Sequence, residues 1–455
     1  MYIDMRFLQT LYILIMLVFS SCAEFLDKKP DIKLVVPRTL KDADLLLSDY
    51  STMNSNYPVF GEIGTDDYYL TAQRWEGVSN YEQRMAYVWA DETYTDVVQW
   101  QRPYKVVYVA NQVLDILGQL NNKNLEQDYK RVLGGAHFYR AFAFHQLAGI
   151  YCGAYDPARS SKELGIPLRL TPDVDAKSVR ASLEETYNQI IADLKIAVAN
   201  LPKEELVKGK PHLPAAYAAL ARVYLDKGDY GQAYAYADSC LMIRPELLDF
   251  NNLSLSANFP IVRFNPEVLF PALGTAAPLM AATTALMDTL LYDSYADGDL
   301  RKKAFFKPNN NPANSQYFKG SFDQSNTLFF GITTSEVYLV KAETACRIGK
   351  LPEARDAINK LLKSRWDKNK LYVPVLESDG EKLLRFILDE RRKELVFRGR
   401  RWSDLKRLNL EPRFQRSLKR VVGDKTYILP PNDPRYAYRL SETVLELSGI
   451  EQNKR

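Results

Sequence analysis
The spacing of small and aromatic residues over 214–245 leaves this chain few choices of fold. Tyr217, Leu220, Ala221 and Tyr224 share one helical face, and Gly228-Asp229-Tyr230 makes a turn. Ala233 and Ala237 then lie on a second helix, closed by Pro245. Two helices approach closely only where Ala or Gly faces the partner, so each small residue has a steric role. The same offsets return later: Tyr338, Ala342, Gly349, Leu351 and Ala354 repeat Tyr217, Ala221, Gly228, Tyr230 and Ala233 in order. Such a two-helix unit buries its apolar face only by stacking on neighbours.

These offsets are tetratricopeptide spacing, and they predict a mostly α fold built on a helical repeat scaffold. Other segments add helices. Residues 182–201 begin with a capping box, Ser182 and Glu185, carry Leu183, Tyr187, Ile190, Ile191, Leu194 and Val198 on one face, and stop at Pro202. Residues 136–151 are apolar nearly all round (Phe138, Tyr139, Phe142, Phe144, Leu147, Ile150), which predicts a central buried helix. Residues 381–408 read as a long charged helix or a helix pair. Between these lie irregular stretches at 50–100, 250–330 and 411–455, rich in Asn, Pro, Gly and aromatics. They read as elaborations on the scaffold, and long ordered loops of this kind are usually functional.

With 455 residues and 46% apolar content, the chain can build a large core in one domain or two closely packed ones. A net charge of +4 is small for this length and gives no sign of nucleic-acid binding. The N-terminus is more specific. Arg6 precedes an apolar run from Phe7 to Phe19, too short to span a bilayer, and Ser20, Ser21 and Cys22 follow. That order reads as a signal peptide over 1–21, and Phe19-Ser20-Ser21-Cys22 resembles a lipobox in which Cys22 is lipidated. Cys240 and Cys346 sit in helical patterns as small apolar residues, and with Cys152 they form no CxxC pair.

A search for reaction chemistry returns little. Of three histidines, His137 and His145 fall in the central helix without an HExxH arrangement, which predicts buried, hydrogen-bonded rings. No P-loop, no GxGxxG after a strand and no GxSxG elbow is present. Asp293, Asp297, Gly298 and Asp299 hint at a cation loop, but Tyr295 and Ala304 occupy ligand positions, so the run reads as a turn. No metal, cofactor or catalytic residue is expected, although paired carboxylates of a glycosidase leave no fixed spacing. The basic residues from Arg391 to Arg407 are interleaved with Asp389, Glu390, Glu394 and Asp404, which predicts pairing across helical turns. Asn111 lies on the apolar side of a helix, where a buried amide bonded to a loop carbonyl is expected.

Aromatic loops are the remaining signal. Tyr occurs 29 times, often in irregular stretches. Tyr68, Tyr69 and Trp75 cluster with Asp66 and Asp67 in one region; Tyr292, Tyr295 and Tyr317 cluster with Phe305, Phe306, Phe318 and Asn309–Asn311 in another. Sugar rings stack on aromatic faces while amides and carboxylates bond their hydroxyls, so this composition suits carbohydrate. For any single ring, packing of the loop onto the scaffold competes with that reading.

The pieces, in order, resemble the SusD/RagB family of surface lipoproteins. The resemblance runs from Cys22 with Phe25-Leu26-Asp27 through Gly64-Thr65-Asp66-Asp67, Trp100…Tyr104…Asn111, Arg140-Ala141-Phe142 and Gly165-Ile166-Pro167-Leu168. It continues through both repeat units, Glu390-Arg391-Arg392-Lys393-Glu394, Gly399…Arg401-Trp402-Ser403-Asp404-Leu405 and Leu429-Pro430-Pro431-Asn432-Asp433. Arg398 stands where the family commonly has Glu, and Leu440-Ser441 where it often has Ile-Pro. The resemblance implies a domain spanning 22–455 with about four tetratricopeptide-like units, mainly in 100–250 and 330–410, and a loop-rich elaboration mainly in 50–100 and 250–330. It implies a non-catalytic protein, lipid-anchored at the outer-membrane surface, that binds oligosaccharide and passes it to a SusC-like TonB-dependent transporter. A peptide-binding member is the alternative, and an all-helical glycoside hydrolase a more distant one. Ligand contacts are expected from Asp66, Asp67, Tyr68, Tyr69, Trp75, Tyr292, Tyr295 and Tyr317, and the Arg391–Arg407 motif is expected to be structural.

Overall fold
The computed structural model describes residues 37–120 and 126–455. Cys22 and the expected signal peptide lie outside the described residues.

About half of the described chain is helical. The long helices follow one another in space as in sequence. After α1 (Leu40–Leu47) come α2 (Val98–Gln119), α3 (Glu126–Tyr151), α4 (Leu183–Asn200), α5 (Leu213–Lys227) and α6 (Tyr230–Ile243). The series resumes with α7 (Thr334–Arg347), α8 (Leu351–Arg365), α9 (Gly380–Glu394) and α10 (Arg401–Leu408). Each of α2 to α6 packs on the next, α6 packs on α7, and α7 on both α8 and α9. The two repeat units predicted above are therefore α5–α6 and α7–α8, and the hydroxyl of Tyr338 on α7 joins them by donating to the Pro245 carbonyl (3.1 Å).

Local chemistry sets these boundaries. Ser182 and Glu185 form the capping box of α4, with bonds of 3.1 and 2.8 Å, and the helix ends before Pro202. Gly228 closes α5 at φ +78° and Gly349 stands between α7 and α8 at φ +80°, conformations that cost a side-chain-bearing residue. The small residues expected at helix contacts are buried: Ala221, Ala233, Ala237, Ala342 and Ala354 are inaccessible to solvent. Helix α3 is the centre of the core, where Phe138 and Phe142 meet Phe270 at 4.7 and 4.9 Å.

Short antiparallel ladders stitch the irregular segments: β1 (Tyr68–Tyr69) with β5 (Leu286–Met287), β2 (Leu164–Pro167) with β3 (Arg180–Ser182), and β4 (Val268–Phe270) with β8 (Ile332–Thr333). Two further pairs are β6 (Phe306–Asn309) with β7 (Ser315–Phe318) and β9 (Leu418–Val422) with β10 (Lys425–Leu429). At Gly165 in β2 a Cβ would overlap the Thr186 hydroxyl and the Ser182 carbonyl. Gly165→Ala is thus expected to cost about 2–3 kcal/mol, read as a lowered midpoint in urea. Where Ser441 replaces the expected proline, its hydroxyl caps the helix Glu442–Ser448 at the Val444 amide (3.3 Å).

The histidine and asparagine expectations hold for His145 and Asn111, which are buried, whereas His137 is hydrogen-bonded but only partly buried. His137 and His145 meet Asp193 (2.8 Å) and Asp226 (2.9 Å), and Asn111 donates to the carbonyls of Arg169 and Thr171. The charged motif corrects one expectation. Residues 381–408 form a pair, α9 and α10, broken where Phe397 (φ +56°) and Gly399 (φ +70°) turn left-handed. Its arginines pair mainly across the fold rather than along their own helix: Arg407 with Glu343 of α7, Arg400 with Asp226 of α5, and Arg391 with Asp404 of α10. Burial explains the difference, since a desolvated guanidinium needs a carboxylate wherever packing places one.

Candidate functional site
The two aromatic loop regions are brought together. Strand β1 of the first pairs with β5, which packs on β7 of the second. A line of ring contacts crosses the junction: Tyr292–Phe306 (5.5 Å), Phe306–Phe318 (6.5 Å), Phe318–Phe397 (5.0 Å) and Phe397–Tyr68 (5.5 Å). Arg74 fastens the regions by donating to the carbonyls of Thr283 (2.8 Å), Thr284 (3.1 Å) and Asn311. Gln83 clamps the segment before them, donating to the Ala276 carbonyl and accepting from the Leu279 amide.

Beside this junction is a groove of about 720 Å³. Its walls include the Phe318 ring, the hydroxyls of Thr275, Thr283 and Ser325, and the Asn326 amide. Among the described residues that line it there is no Asp, Glu, His or Cys. The one cation, Lys319, donates to the carbonyls of Leu255 (2.6 Å) and Ala257 (2.9 Å), and burial lowers its pKa. A concave, mostly uncharged surface of this kind, with hydroxyls, an amide and a ring, can hold a small polar ligand.

The predicted contact residues divide by burial. Tyr69, Trp75, Tyr292 and Tyr317 are half-buried and keep part of a ring at the surface, outside the lining of this groove. Trp75 donates its indole N–H to the Arg84 carbonyl (3.1 Å) under the Arg84 guanidinium, and Lys302 lies 4.5 Å from the Tyr292 ring. Asp67, Tyr68 and Tyr295 correct the sequence reading, because their side chains lie in the interior. The hydroxyl of Tyr68 donates to the Ile63 carbonyl (2.7 Å) and that of Tyr295 to the Lys393 carbonyl (2.7 Å), which leaves neither ring a face for a ligand. Asp67 takes the Nε of Arg392 (2.8 Å); burial raises its pKa against the pull of that guanidinium.

Asp66 is corrected too. It accepts a two-pronged contact from Arg401 (2.7 and 2.9 Å) and a bond from Arg416 (2.7 Å). Burial opposes its ionisation, but Arg401 and Arg392 hold the carboxyl well below the usual range. It is an ion-pair anchor. The Asp293–Asp299 run is likewise occupied by protein: Asp297 pairs with Lys370, and Asp299 with Arg301 (2.7 Å).

Sequence reasoning passed over Arg74, Gln83 and the wall segment 274–284. The available signal was the run of small residues Gly274-Thr275-Ala276-Ala277 and Ala281-Ala282-Thr283-Thr284 between two aromatic clusters.

Stacked helical hairpins that carry a ligand-sized groove on irregular loops define a class, the tetratricopeptide-like binding proteins. Two family models narrow it. One described as "starch-binding associating with outer membrane" matches residues 24–225, and one described as "SusD family" matches residues 307–444. The chain belongs to the SusD/RagB family, whose members are carbohydrate-binding proteins of nutrient uptake. It is 23% identical to SusD-like protein P38 of Formosa agariphila, with 88% of this chain and 91% of that protein covered. SusD-like protein P2 of the same organism is also 23% identical, over 68% of this chain and 71% of its own length. The fold is similar to that of a SusD superfamily protein from Bacteroides thetaiotaomicron (TM-score 0.74, 22% identity, 92% of this chain and 100% of that one). A putative sugar binding protein from Bacteroides vulgatus has the same TM-score at 21% identity, covering 91% of this chain and 98% of its own. Among the described residues, no helix is long and apolar enough to cross a membrane.

Proposed function
We propose that this chain is a non-catalytic oligosaccharide-binding lipoprotein of the outer-membrane surface that delivers its ligand to a SusC-like TonB-dependent transporter. The carrying observation is the groove beside the aromatic junction. Its hydroxyls, amide and ring suit a sugar, and its described lining holds no carboxylate or imidazole that could serve as general acid or base. Tyr69, Trp75, Tyr292 and Tyr317 do not line the groove; in this reading they contact a ligand that extends from it over the loop-rich elaboration of one domain over 22–455. The anchor is the lipidated Cys22, freed by cleavage after residue 21. A peptide ligand is the second reading, since peptide-binding members are the alternative within the family resemblance.

Titration of the purified chain with a panel of oligosaccharides tests this directly. Binding without release of shorter products is expected. Trp75→Ala and Tyr317→Ala are each expected to weaken it about fivefold, because stacked rings contribute on the order of 1 kcal/mol each. Tight peptide binding with no saccharide bound would overturn the carbohydrate reading. Co-purification with a large barrel protein tests the partner. Incorporation of labelled fatty acid that persists in Cys22→Ala would refute the anchor.

A further inference from the structure
Where α9 and α10 meet the β9–β10 hairpin, the surface sinks into a trough in two connected parts of about 300 and 580 Å³. Asp389, Arg392 and Arg416 line both parts. Five arginines wall the smaller part (Arg385, Arg392, Arg401, Arg413 and Arg416), against Asp389 as its one carboxylate among the described lining. Each of these arginines has a carboxylate partner. Asp66 and Asp67 hold Arg392, Arg401 and Arg416, Asp288 lies 3.6 Å from Arg392, and Glu381 and Glu411 pair with Arg385 and Arg413. The described lining of the two parts still carries seven cations against four carboxylates, Asp66, Asp288, Asp389 and Glu390, and the surplus is concentrated in the smaller part.

The geometry leaves donors unused. Arg392 spends its Nε on Asp67 and its Nη2 on the Asp66 carbonyl; Arg401 spends Nε and Nη2 on the Asp66 carboxylate; Arg416 spends Nη1 on it. Among the described residues, Nη1 of Arg392, Nη1 of Arg401 and Nη2 of Arg416 have no protein acceptor. Arg385 and Arg413 flank the Phe414 ring at 5.0 and 4.7 Å, which keeps both guanidiniums in place at the far wall. A fixed set of arginine forks is suited to carboxylate or sulfate, which accept paired N–H bonds. The trough also borders the helix that carries Tyr292. Its larger part is lined by Leu290, Leu291 and Ser294, from that helix and its cap.

We propose that this trough binds the acidic groups of an anionic oligosaccharide, carboxylated or sulfated, beside the helix that carries Tyr292. Asp66 is a positioning residue in it, because its carboxylate is taken up by Arg401 and Arg416 and sets their guanidiniums. This rests on the saccharide-binding reading above and narrows its ligand class.

The test uses the full-length chain in detergent and four probes of similar length: an oligogalacturonate, a sulfated chondroitin oligosaccharide, a neutral glucan and a glutamate peptide. At least one anionic saccharide is expected to bind, more weakly by about fivefold as salt rises from about 50 to about 300 mM. Arg413→Ala and Arg416→Ala, at exposed positions that do not line the groove, are each expected to weaken that binding about tenfold. Arg416→Lys is expected to retain an intermediate affinity, and neither alanine variant is expected to change binding of the neutral glucan. Thermal melts of the variants establish that they are folded. If the neutral glucan binds and neither anionic saccharide does, the trough assignment is wrong while the saccharide reading stands. If no saccharide binds, both fall. Binding of the anionic probes that is indifferent to both alanine substitutions, or a glutamate peptide bound as tightly as the saccharides, would also overturn the assignment.

Discussion
Replacing Arg365 by alanine is expected to cost about 3–5 kcal/mol of folding stability, enough to deplete the folded chain in cells. The guanidinium is 1% exposed and lies between Glu267 (2.8 Å) and Glu394 (2.8 Å), both inaccessible to solvent. It also donates to the Leu248 carbonyl (2.7 Å) and lies over the Phe250 ring at 4.2 Å. Removing it strands two buried carboxylates and opens a gap beside the ring. Glu394 keeps Arg301 as a partner (3.3 Å), whereas Glu267 pairs with no other cation among the described residues. Adding Glu267→Gln to Arg365→Ala is therefore expected to restore part of the loss. Urea titrations of the single and double variants measure this coupling, and strictly additive effects would show that the two groups act independently.

The second large effect is on pH dependence. Burial, with the charge of Asp67 nearby, pushes the Glu62 carboxyl from 4.5 up to about 8. Its carboxyl accepts from the Gly399 amide (2.6 Å) and pairs with no cation within 4 Å among the described residues. The unfolded chain releases this proton near pH 4.5 and the folded chain holds it to about pH 8. The stabilising contribution is thus complete below about pH 4.5 and is lost as pH rises to 8, a swing of up to roughly 5 kcal/mol. Glu62→Gln keeps an acceptor for the amide and removes the titration. Its stability is expected to exceed the parent's increasingly from pH 5 to pH 8.5, and parallel curves would refute the assignment.

What the sequence revealed and what it concealed follow from the range of each interaction. The capping box at Ser182, the glycine turns at 228 and 349, and the apolar circumference of α3 are set by residues within a turn or two, so spacing suffices to find them. The two aromatic regions were legible as composition, and they do adjoin. Which rings face outward was not legible, because β1 is two residues long and gives no alternation from which to read the buried Tyr68 against the half-exposed Tyr69. The role of Asp66 was concealed for another reason. Its partner Arg401 is 335 positions away, and only the docking of α10 against the first loop region makes the pair.

The grip of Arg74 on its neighbours has an evolutionary consequence. All three of its acceptors, on Thr283, Thr284 and Asn311, are main-chain oxygens, which every amino acid supplies. Mutation at those positions can therefore alter the chemistry lining the ligand face while the brace that holds it stays the same. A lineage can change its diet there by single substitutions without first redesigning the architecture.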